Sequence, residues 1–514
     1  MKEKLFNFIK NYYVFIIALL AAAAAFIYIM PPFNADIINY DSAYQYFLTR
    51  HSFRDIAVLL PQDYSPPLYT VLLKLWTIVF GGTLASMRSF SVMIIWGMIF
   101  LAAFPVRRAF GNRTSLLCIL FYTLSSLDFI LVPEIRPTVL ACFVVAAAAI
   151  YSYLSVFYEY RYAYVCMTVF SVLAMYTHNA AMLSVLAFYI VGVVLLFTQK
   201  NYKKMLYIII SGAICAVCYI PWLIVVFGQF ANVKNNYWSN SDISLGNIID
   251  WTYGINYSSS AGGVFMLVVP VLFCITAIAA VIKLRKYNTV DSIKAAFTPE
   301  LKDKGVKAVY LLMLYVGAIA ALVIFALLVY PIIAKRYFYM YAPILLLIIS
   351  AYFGCRTDKW SQIPVLIVAF SVIANFGVTL NEIGRSLKSS DFMEMTEQIA
   401  ESENVAFLHS HEWSLGIMMY YFPDAKHYVY DDTWCVLTSY DVFPSEVVNV
   451  GDIDNISEYE SDFYVFGDNF ADTEQMLNAY FTANDKFDVT YIGFYEEPYT
   501  YKKGWQLYNV SVKD

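Results

Sequence analysis

The sequence predicts a polytopic α-helical membrane protein, about eleven transmembrane helices followed by a small C-terminal α/β extracytoplasmic domain. Three observations lead there. Hydrophobic residues make up 60% of the 514 and charged residues 14%, with a mean hydropathy of +0.59, values far from those of a soluble domain. Apolar runs of roughly 20 residues, the length that crosses a bilayer, recur as far as about residue 380. Charge is also segregated: residues 1–387 hold 28 Lys and Arg against 15 Asp and Glu, and residues 388–514 hold 6 against 24. A basic membrane part is joined to an acidic tail.

The apolar runs lie near residues 12–30, 85–104, 114–132, 138–157, 162–177, 180–198, 205–227, 263–283, 308–331, 338–354 and 361–380. The first follows MKEKLFNFIK, a charged start that secretory signals share, and the alanine run after it is compatible with cleavage. Its apolar stretch is long enough to span, so an uncleaved first helix is expected. Lys and Arg set the orientation. With the N-terminus in the cytoplasm, the cytoplasmic connections hold 19 of them and the opposite connections 8. An odd number of spans then puts the acidic tail outside, in a bacterial plasma membrane.

Two outer connections are long, residues 31–84 and 228–262, whereas the longest inner one runs from about 284 to 307. That inner stretch is too short for a nucleotide-binding domain, and no Gly-rich phosphate loop of standard spacing occurs. Chemistry belongs on the outer face, and no nucleic-acid partner is expected. The membrane domain is read as residues 1–384 and the acidic domain as 385–514. The latter alternates short apolar strands (NVAFLH, HYVY, DFYVFG, VTYIGFY) with amphipathic helical stretches (MEMTEQIAES, TEQMLNAYF), and its carboxylates keep the surface soluble. In HSHEW, His409, His411 and Glu412 form either a metal site or, more often for such a pattern, a loop with no fixed role. Seven of the eight cysteines lie in or beside apolar segments, which implies packing rather than a disulfide framework.

The outer ends of the helices carry the ionisable groups. PPFNADIINYDSAYQYFLTR places Asp36, Asn39 and Asp41 just past the first span. Asp41 precedes a helical stretch, so it is either that helix's N-cap, which stabilises by ~1 kcal/mol, or a general base at the bilayer edge. Glu134 and Arg136 in VPEIRPTV occupy the tight turn between the third and fourth spans, where charge is costly unless paired or used. They are an ion pair that orders the turn, or part of a site. His178 in MYTHNAA sits at another outer turn, as a satisfied interface residue or a ligand. Lys335 and Arg336 in AKRYFYMYAP are anchors that snorkel to headgroups, or a cationic pair for a phosphate, since arginine offers a planar fork of donors. Tyr44, Trp238 and Trp251 are interface anchors or stacking faces for a sugar.

In series, NADIINYDSAYQY, DYSPPLYTVLLKLWTIVFGGTLASMRSFSV, PEIRPTVLACF, MYTHNAAML and KRYFYMYAPILLL cover roughly residues 1–380. This order resembles the membrane GT-C glycosyltransferases, in pattern the bacterial branch similar to protein O-mannosyltransferases and the lipid A aminoarabinose transferase. The resemblance implies GT-C-like juxtamembrane helices on the outer face. It also implies an inverting hexosyl or pentosyl transferase that takes a polyprenyl-phosphate-linked sugar donor and passes the sugar to a lipid, glycan or protein acceptor. It makes Asp41 the catalytic base. Glu134, Arg136 and His178 then orient the acceptor, and Glu134 with His178 is the pair that would hold a divalent metal ion. Arg336 and Tyr337 match the arginine-tyrosine pair near the lipid phosphate, with Lys335 and Lys74 as further donor contacts.

Two positions depart from the pattern. Ser42 stands where the family commonly has a second acid, which weakens the case for a metal. Ser65 stands where His or Lys commonly precedes the double proline, so Lys74 or Arg336 is expected to supply the missing phosphate contact. The competing class is a transporter or flippase of lipid-linked sugars. It predicts charged residues at mid-membrane in several spans and helices broken in symmetric pairs. Here the ionisable groups gather at helix ends, with Asp128 the main exception.

Overall fold

The computed structural model describes residues 2–33, 38–61, 65–236, 243–253, 260–284, 304–329, 333–355, 362–389, 392–401, 404–409, 412–431, 441–443, 447–468, 480–496 and 504–513. Asp36, Trp238, His411, Cys435, the basic stretch at 285–303 and most of TEQMLNAYF lie outside these residues.

Among the described residues eight helices are long and apolar enough to cross a membrane: Asn11–Ile29, Leu84–Phe110, Pro137–Phe157, Asn179–Thr198, Tyr202–Gln229, Val309–Leu328, Lys335–Gly354 and Gln362–Arg385. The chain is a multi-pass membrane protein. In order, its helices are α1 (Lys2–Phe33), α2 (Tyr40–Leu48), α3 (Phe53–Leu59), α4 (Leu68–Phe80), α5 (Leu84–Leu101), α6 (Arg107–Phe110), α7 (Asn112–Thr123), α8 (Asp128–Leu131), α9 (Pro137–Phe157), α10 (Arg161–Thr177), α11 (Asn179–Thr198), α12 (Tyr202–Asn236), α13 (Leu245–Thr252), α14 (Ser260–Leu284), α15 (Lys304–Leu328), α16 (Ala342–Gly354), α17 (Gln362–Ser389), α18 (Phe392–Ala400) and α19 (Glu412–Tyr421).

All eleven predicted runs are helical, but helices of spanning length do not add up to eleven. The run near 114–132 breaks into α7 and α8, because Ser125 Oγ accepts from the Leu127 amide and offers the backbone an alternative to the helical ladder. Helix α10 has 17 residues, and the apolar described part of α14 is Gly262–Ile275. Helix α17 continues to Ser389, past the expected boundary at 384. A π-helical turn at Ala102–Val106 joins α5 to α6 and accommodates Pro105, which has no amide hydrogen to donate.

Helix α9 lies at the centre, buried along nearly its whole length, and its Ala146–Ala149 run lets neighbouring backbones approach. The outer helices turn apolar side chains such as Ile27, Ile190, Val217, Phe227, Leu327 and Phe370 outward, as a lipid-facing surface requires. Gly81 and Gly111, with φ of 89° and 92°, end α4 and α6 in a conformation that side-chain-bearing residues rarely adopt.

Short helices α2, α3, α4 and α13 lie in the two long connections. Each of α2, α3 and α13 starts on a side-chain cap: Asn39 accepts from the Ser42 amide, Ser52 from Asp55 and Ser244 from Asn247. Asp41 is therefore not the cap of α2; it sits in the first turn behind Asn39, where a negative charge meets the helix's positive end.

The C-terminal part contains one six-stranded sheet of β1 (Ala406–Leu408), β2 (Lys426–Val429), β3 (Val447–Asn449), β4 (Asp462–Asp468), β5 (Phe487–Glu496) and β6 (Gly504–Val512) in the order β3-β2-β1-β4-β6-β5. The first four strands are parallel to one another; β6 is antiparallel to both β4 and β5. Alternation along β1 sends Ala406 and Leu408 into one apolar cluster and Phe407 into another, so the sheet is covered on both faces. MEMTEQIAES forms α18, which contributes Met395 and Ile399 to the second cluster.

Candidate active site

Pro137 opens α9, and the residue before a proline is pushed to extended backbone. Arg136 takes φ −138° and ψ 154° accordingly. Its guanidinium is ion-paired with the Asp41 carboxylate, and lies 3.7 Å from Glu134 Oε2. The first outer helix and the turn after the third run thus meet through one arginine flanked by two carboxylates. Side-chain exposure of 42% at Asp41 against 16% at Arg136 leaves the carboxylate reachable and the cation mostly covered.

Two contacts that the sequence did not suggest lock this meeting. Ser42 Oγ accepts from the Ile135 amide at 3.0 Å, tying α2 to the Glu134–Arg136 turn from the residue beside Asp41. Ser42 therefore performs a structural task at the position where a second acid was expected. Arg88 on α5 is 1% exposed, and its Nε donates to Pro133 O at 3.4 Å, supporting the same turn from below. The sequence marks only an arginine inside the apolar run near 85–104; its partner, 45 positions away, is not marked.

His178 stands between α10 and α11 in extended backbone and serves both. Its amide donates to Ala174 O, and its Nδ1 accepts from the Ala180 amide at 3.1 Å, so the proton of the neutral ring is on Nε2. The ring packs edge-on against Tyr337, with centroids 5.3 Å apart. Burial, then the charges of Arg336 and Arg136, bring its pKa down to about 4. His178 thus touches the Lys335–Tyr341 3-10 turn through Tyr337, and the charges of both Arg336 and Arg136 bear on it. Within that turn Arg336 lies by the Tyr337 ring, 5.7 Å from guanidinium carbon to centroid.

The remaining candidates lie elsewhere. Lys335 Nζ is 3.2 Å from Asp250 of α13. Lys74 of α4 lines an open cleft of about 320 Å³ with Thr49, Arg50, Thr77, Ile78, Gly82 and Met87, a lining that includes neither Asp41 nor Arg336. Trp251 is buried against Phe338, and Tyr44 lies beside Tyr40. His409 is engaged with Ser414 and His427.

A divalent cation needs converging anionic or imidazole lone pairs. Around Asp41 and Glu134 the space between the carboxylates is occupied by a guanidinium, and His178 Nδ1 already faces an amide donor. Among the described residues no three His, Cys, Asp or Glu side chains converge. These residues do not fit a metal, and no step below passes through one. What they do offer is a fixed, accessible carboxylate beside a mostly covered cation, a neutral imidazole, and a second arginine.

No family model and no curated protein matches the sequence. Solved structures do match. ArnT from Cupriavidus metallidurans in the apo state superposes with a TM-score of 0.60 at 11% identity, covering 95% of this chain and 97% of that one. ArnT from the same organism bound to undecaprenyl phosphate gives 0.60 at 12% identity over the same shares. Mycobacterial arabinofuranosyltransferase AftD gives 0.49 at 11%, covering 97% of this chain and 40% of that one. Over 95% of its length this chain has the fold of ArnT.

Proposed function

We propose that the protein is an inverting glycosyltransferase that moves a sugar from a polyprenyl-phosphate donor to an acceptor hydroxyl of a lipid, glycan or protein at the outer face of the plasma membrane, with its N-terminus cytoplasmic. One observation carries this reading: Asp41, Arg136 and Glu134 are contiguous at the outer helix ends, where His178 packs against Tyr337 and Arg336 lies by that same ring. The fold supports it, since an ArnT structure with that fold holds undecaprenyl phosphate.

Transfer from a lipid phosphate needs one base and one anion clamp, because phosphate is already a good leaving group. The Asp41 carboxylate takes the proton of the acceptor hydroxyl while that oxygen forms a bond to the anomeric carbon. The bond from the anomeric carbon to the phosphate oxygen breaks on the opposite side, and the electron pair leaves on the phosphate. Arg136 holds the Asp41 carboxylate ionised and in place before the proton arrives. Arg336 stabilises the departing phosphate, with Tyr337 setting its position and Lys335 and Lys74 as outer cations on the donor's approach. Glu134 fixes the other side of Arg136, and the neutral His178 presents an N–H donor rather than a charge.

The test incubates the purified full-length protein, reconstituted in lipid, with a panel of radiolabelled polyprenyl-phosphate sugars and bacterial envelope acceptors, and follows release of free lipid phosphate. At least one donor should be consumed. Asp41→Asn should fold normally and lose about 10²- to 10⁴-fold in turnover, the range for a general base. Near-normal turnover by that variant removes the mechanism, and inactivity of the wild type on the whole panel removes the function.

A further inference from the structure

Helix α2 is held from two sides. One is the Glu134–Arg136 turn already described; the other is the C-terminal part of the chain. Tyr421, the last residue of α19, accepts a hydrogen bond through its hydroxyl from the Ile38 amide at 3.2 Å, just before the Asn39 cap. Tyr420 packs edge-on against Tyr46 at 4.9 Å, and Phe443 against Phe47 at 5.4 Å. His51, past the end of α2, donates from Nε2 to Val442 O at 2.8 Å.

The Tyr40 ring adds a contact of its own. Although it belongs to the membrane part, it packs into the apolar cluster formed by Met395, Phe407, Met418 and Leu507 of the C-terminal domain. It can enter because Gly416 of α19 has no side chain: a Cβ there would lie 2.8 Å from Tyr40 Cδ2 and 3.0 Å from Phe443 Cζ. Tyr40 is the neighbour of Asp41. A ring anchored in a rigid core at residue 40 and an ion pair at residue 41 together fix both the rotation of α2 about its axis and the start of its first turn. Neither contact alone does this, because a nine-residue helix is too short to hold itself.

We propose that the C-terminal domain is a positioning device for the reaction, with Tyr421 and Gly416 as positioning residues that set where the Asp41 carboxylate stands. This rests on the reading of Asp41 as the base. The acidic domain is then part of the catalytic machinery in a mechanical sense, acting through α2. Shape and two hydrogen bonds, Ile38 to Tyr421 and His51 to Val442, carry the coupling, so it is independent of the domain's net charge.

The test uses the full-length protein in two forms, Tyr421→Phe and Gly416→Val. Two measurements are made. Hydrogen exchange followed by mass spectrometry reads amide protection over residues 38–51, and turnover of whichever polyprenyl-phosphate sugar the wild type consumes gives kcat and the donor KM separately. Gly416→Val should lose protection in that segment and lose roughly tenfold or more in kcat, since a misplacement of ~1 Å can cost up to ~10²-fold. Its donor KM should stay unchanged, because Arg336 is on another element. Tyr421→Phe should show a smaller loss of the same kind.

Unchanged protection in both variants overturns the proposal, as does lost protection with unchanged kcat. A fall in kcat that comes with lost protection throughout the strands β1–β6 reduces the contact to general stability and likewise overturns it. If the wild type consumes no donor, the proposed function fails by itself, and the exchange result still decides whether α19 holds α2.

Discussion

The protein contains two clusters of titratable side chains built in opposite ways. Around Asp41 the groups carry charge of both signs, stay partly open to solvent, and belong to α2, the turn before α9, the turn before α11 and the Lys335–Tyr341 segment. In the C-terminal domain, His409, His427 and Ser414 are sealed, each no more than 1% exposed. They form a single directed chain. His427 Nε2 donates to Phe422 O at 3.1 Å, which leaves His427 Nδ1 to accept from His409 Nε2 at 3.0 Å and His409 Nδ1 to accept from Ser414 Oγ at 3.0 Å. Every member is satisfied with both rings neutral. An open cluster of opposed charges can meet a substrate and move a proton; a closed neutral chain has nowhere to send one. Its product is rigidity behind α19, the helix that carries Ser414 and holds α2.

The largest way to sharpen this contrast acts on the open cluster. Arg336→Ala should raise the donor KM by roughly 10- to 100-fold, the equivalent of ~1.5–3 kcal/mol for a hydrogen bond to a charged group, and change acceptor saturation little. Donor saturation curves on purified protein check it, and an unchanged curve removes Arg336 from the phosphate.

Breaking the sealed cluster should cost stability and leave chemistry intact until the domain loosens. Ser414→Ala leaves His409 Nδ1 buried without its donor, at about 1–3 kcal/mol, read as a lower melting temperature. The pH dependence has a definite sign. Burial holds His427 near a pKa of about 4 and His409 well below its ordinary 6.5. In the unfolded chain both rings bind protons as pH falls through 6.5, while the folded domain refuses them. Stability is therefore complete above about pH 6.5 and declines towards pH 4, by up to about 1.4 kcal/mol per unit for each ring. A melting temperature that is flat between pH 7 and 4.5 contradicts this account of the chain.

Histidine in the open cluster behaves differently from its charged neighbours. With its pKa drawn down to about 4 by burial and two arginines, His178 is neutral across the range around pH 7. His178→Asn keeps an oxygen to accept from the Ala180 amide and removes the imidazole. The pH–rate profile should have the same shape as the wild type's between pH 5.5 and 8, with at most a uniform drop in rate; a lost inflection near 6.5 would assign the titration to His178 after all.

Much of the fold was legible because a bilayer imposes long apolar runs, and each of the eleven runs is helical. What composition could not reveal was local backbone competition, such as Ser125 and Ser126 interrupting the run near 114–132. In the tail, four strands stood out as apolar segments. The strand at Gly504–Val512 did not, because its polar Gln506, Asn509 and Ser511 break the pattern, and the three-residue Val447–Asn449 strand is too short for any periodicity to register. At the site, charged residues at helix ends were visible as types out of place. Ser42, Arg88, Tyr421 and Gly416 were not, because their tasks depend on partners 93, 45, 383 and 376 positions away.

The smallest effect concerns Lys335, which bridges the outer turn to α13. Lys335 and Asp250 are 46% and 52% exposed, and an exposed bridge contributes about 0–1 kcal/mol, weakened further by salt. Asp250→Asn should therefore leave the melting temperature nearly unchanged while releasing Lys335 beside Arg336. If Lys335 helps to draw in an anionic donor, the released charge lowers the donor KM by roughly twofold at low ionic strength, and the gain vanishes near 1 M salt, where the Debye length is about 3 Å. Equal KM values for the two proteins at both salts would confine Lys335 to holding α13 against the turn and leave Arg336 as the cation that meets the phosphate.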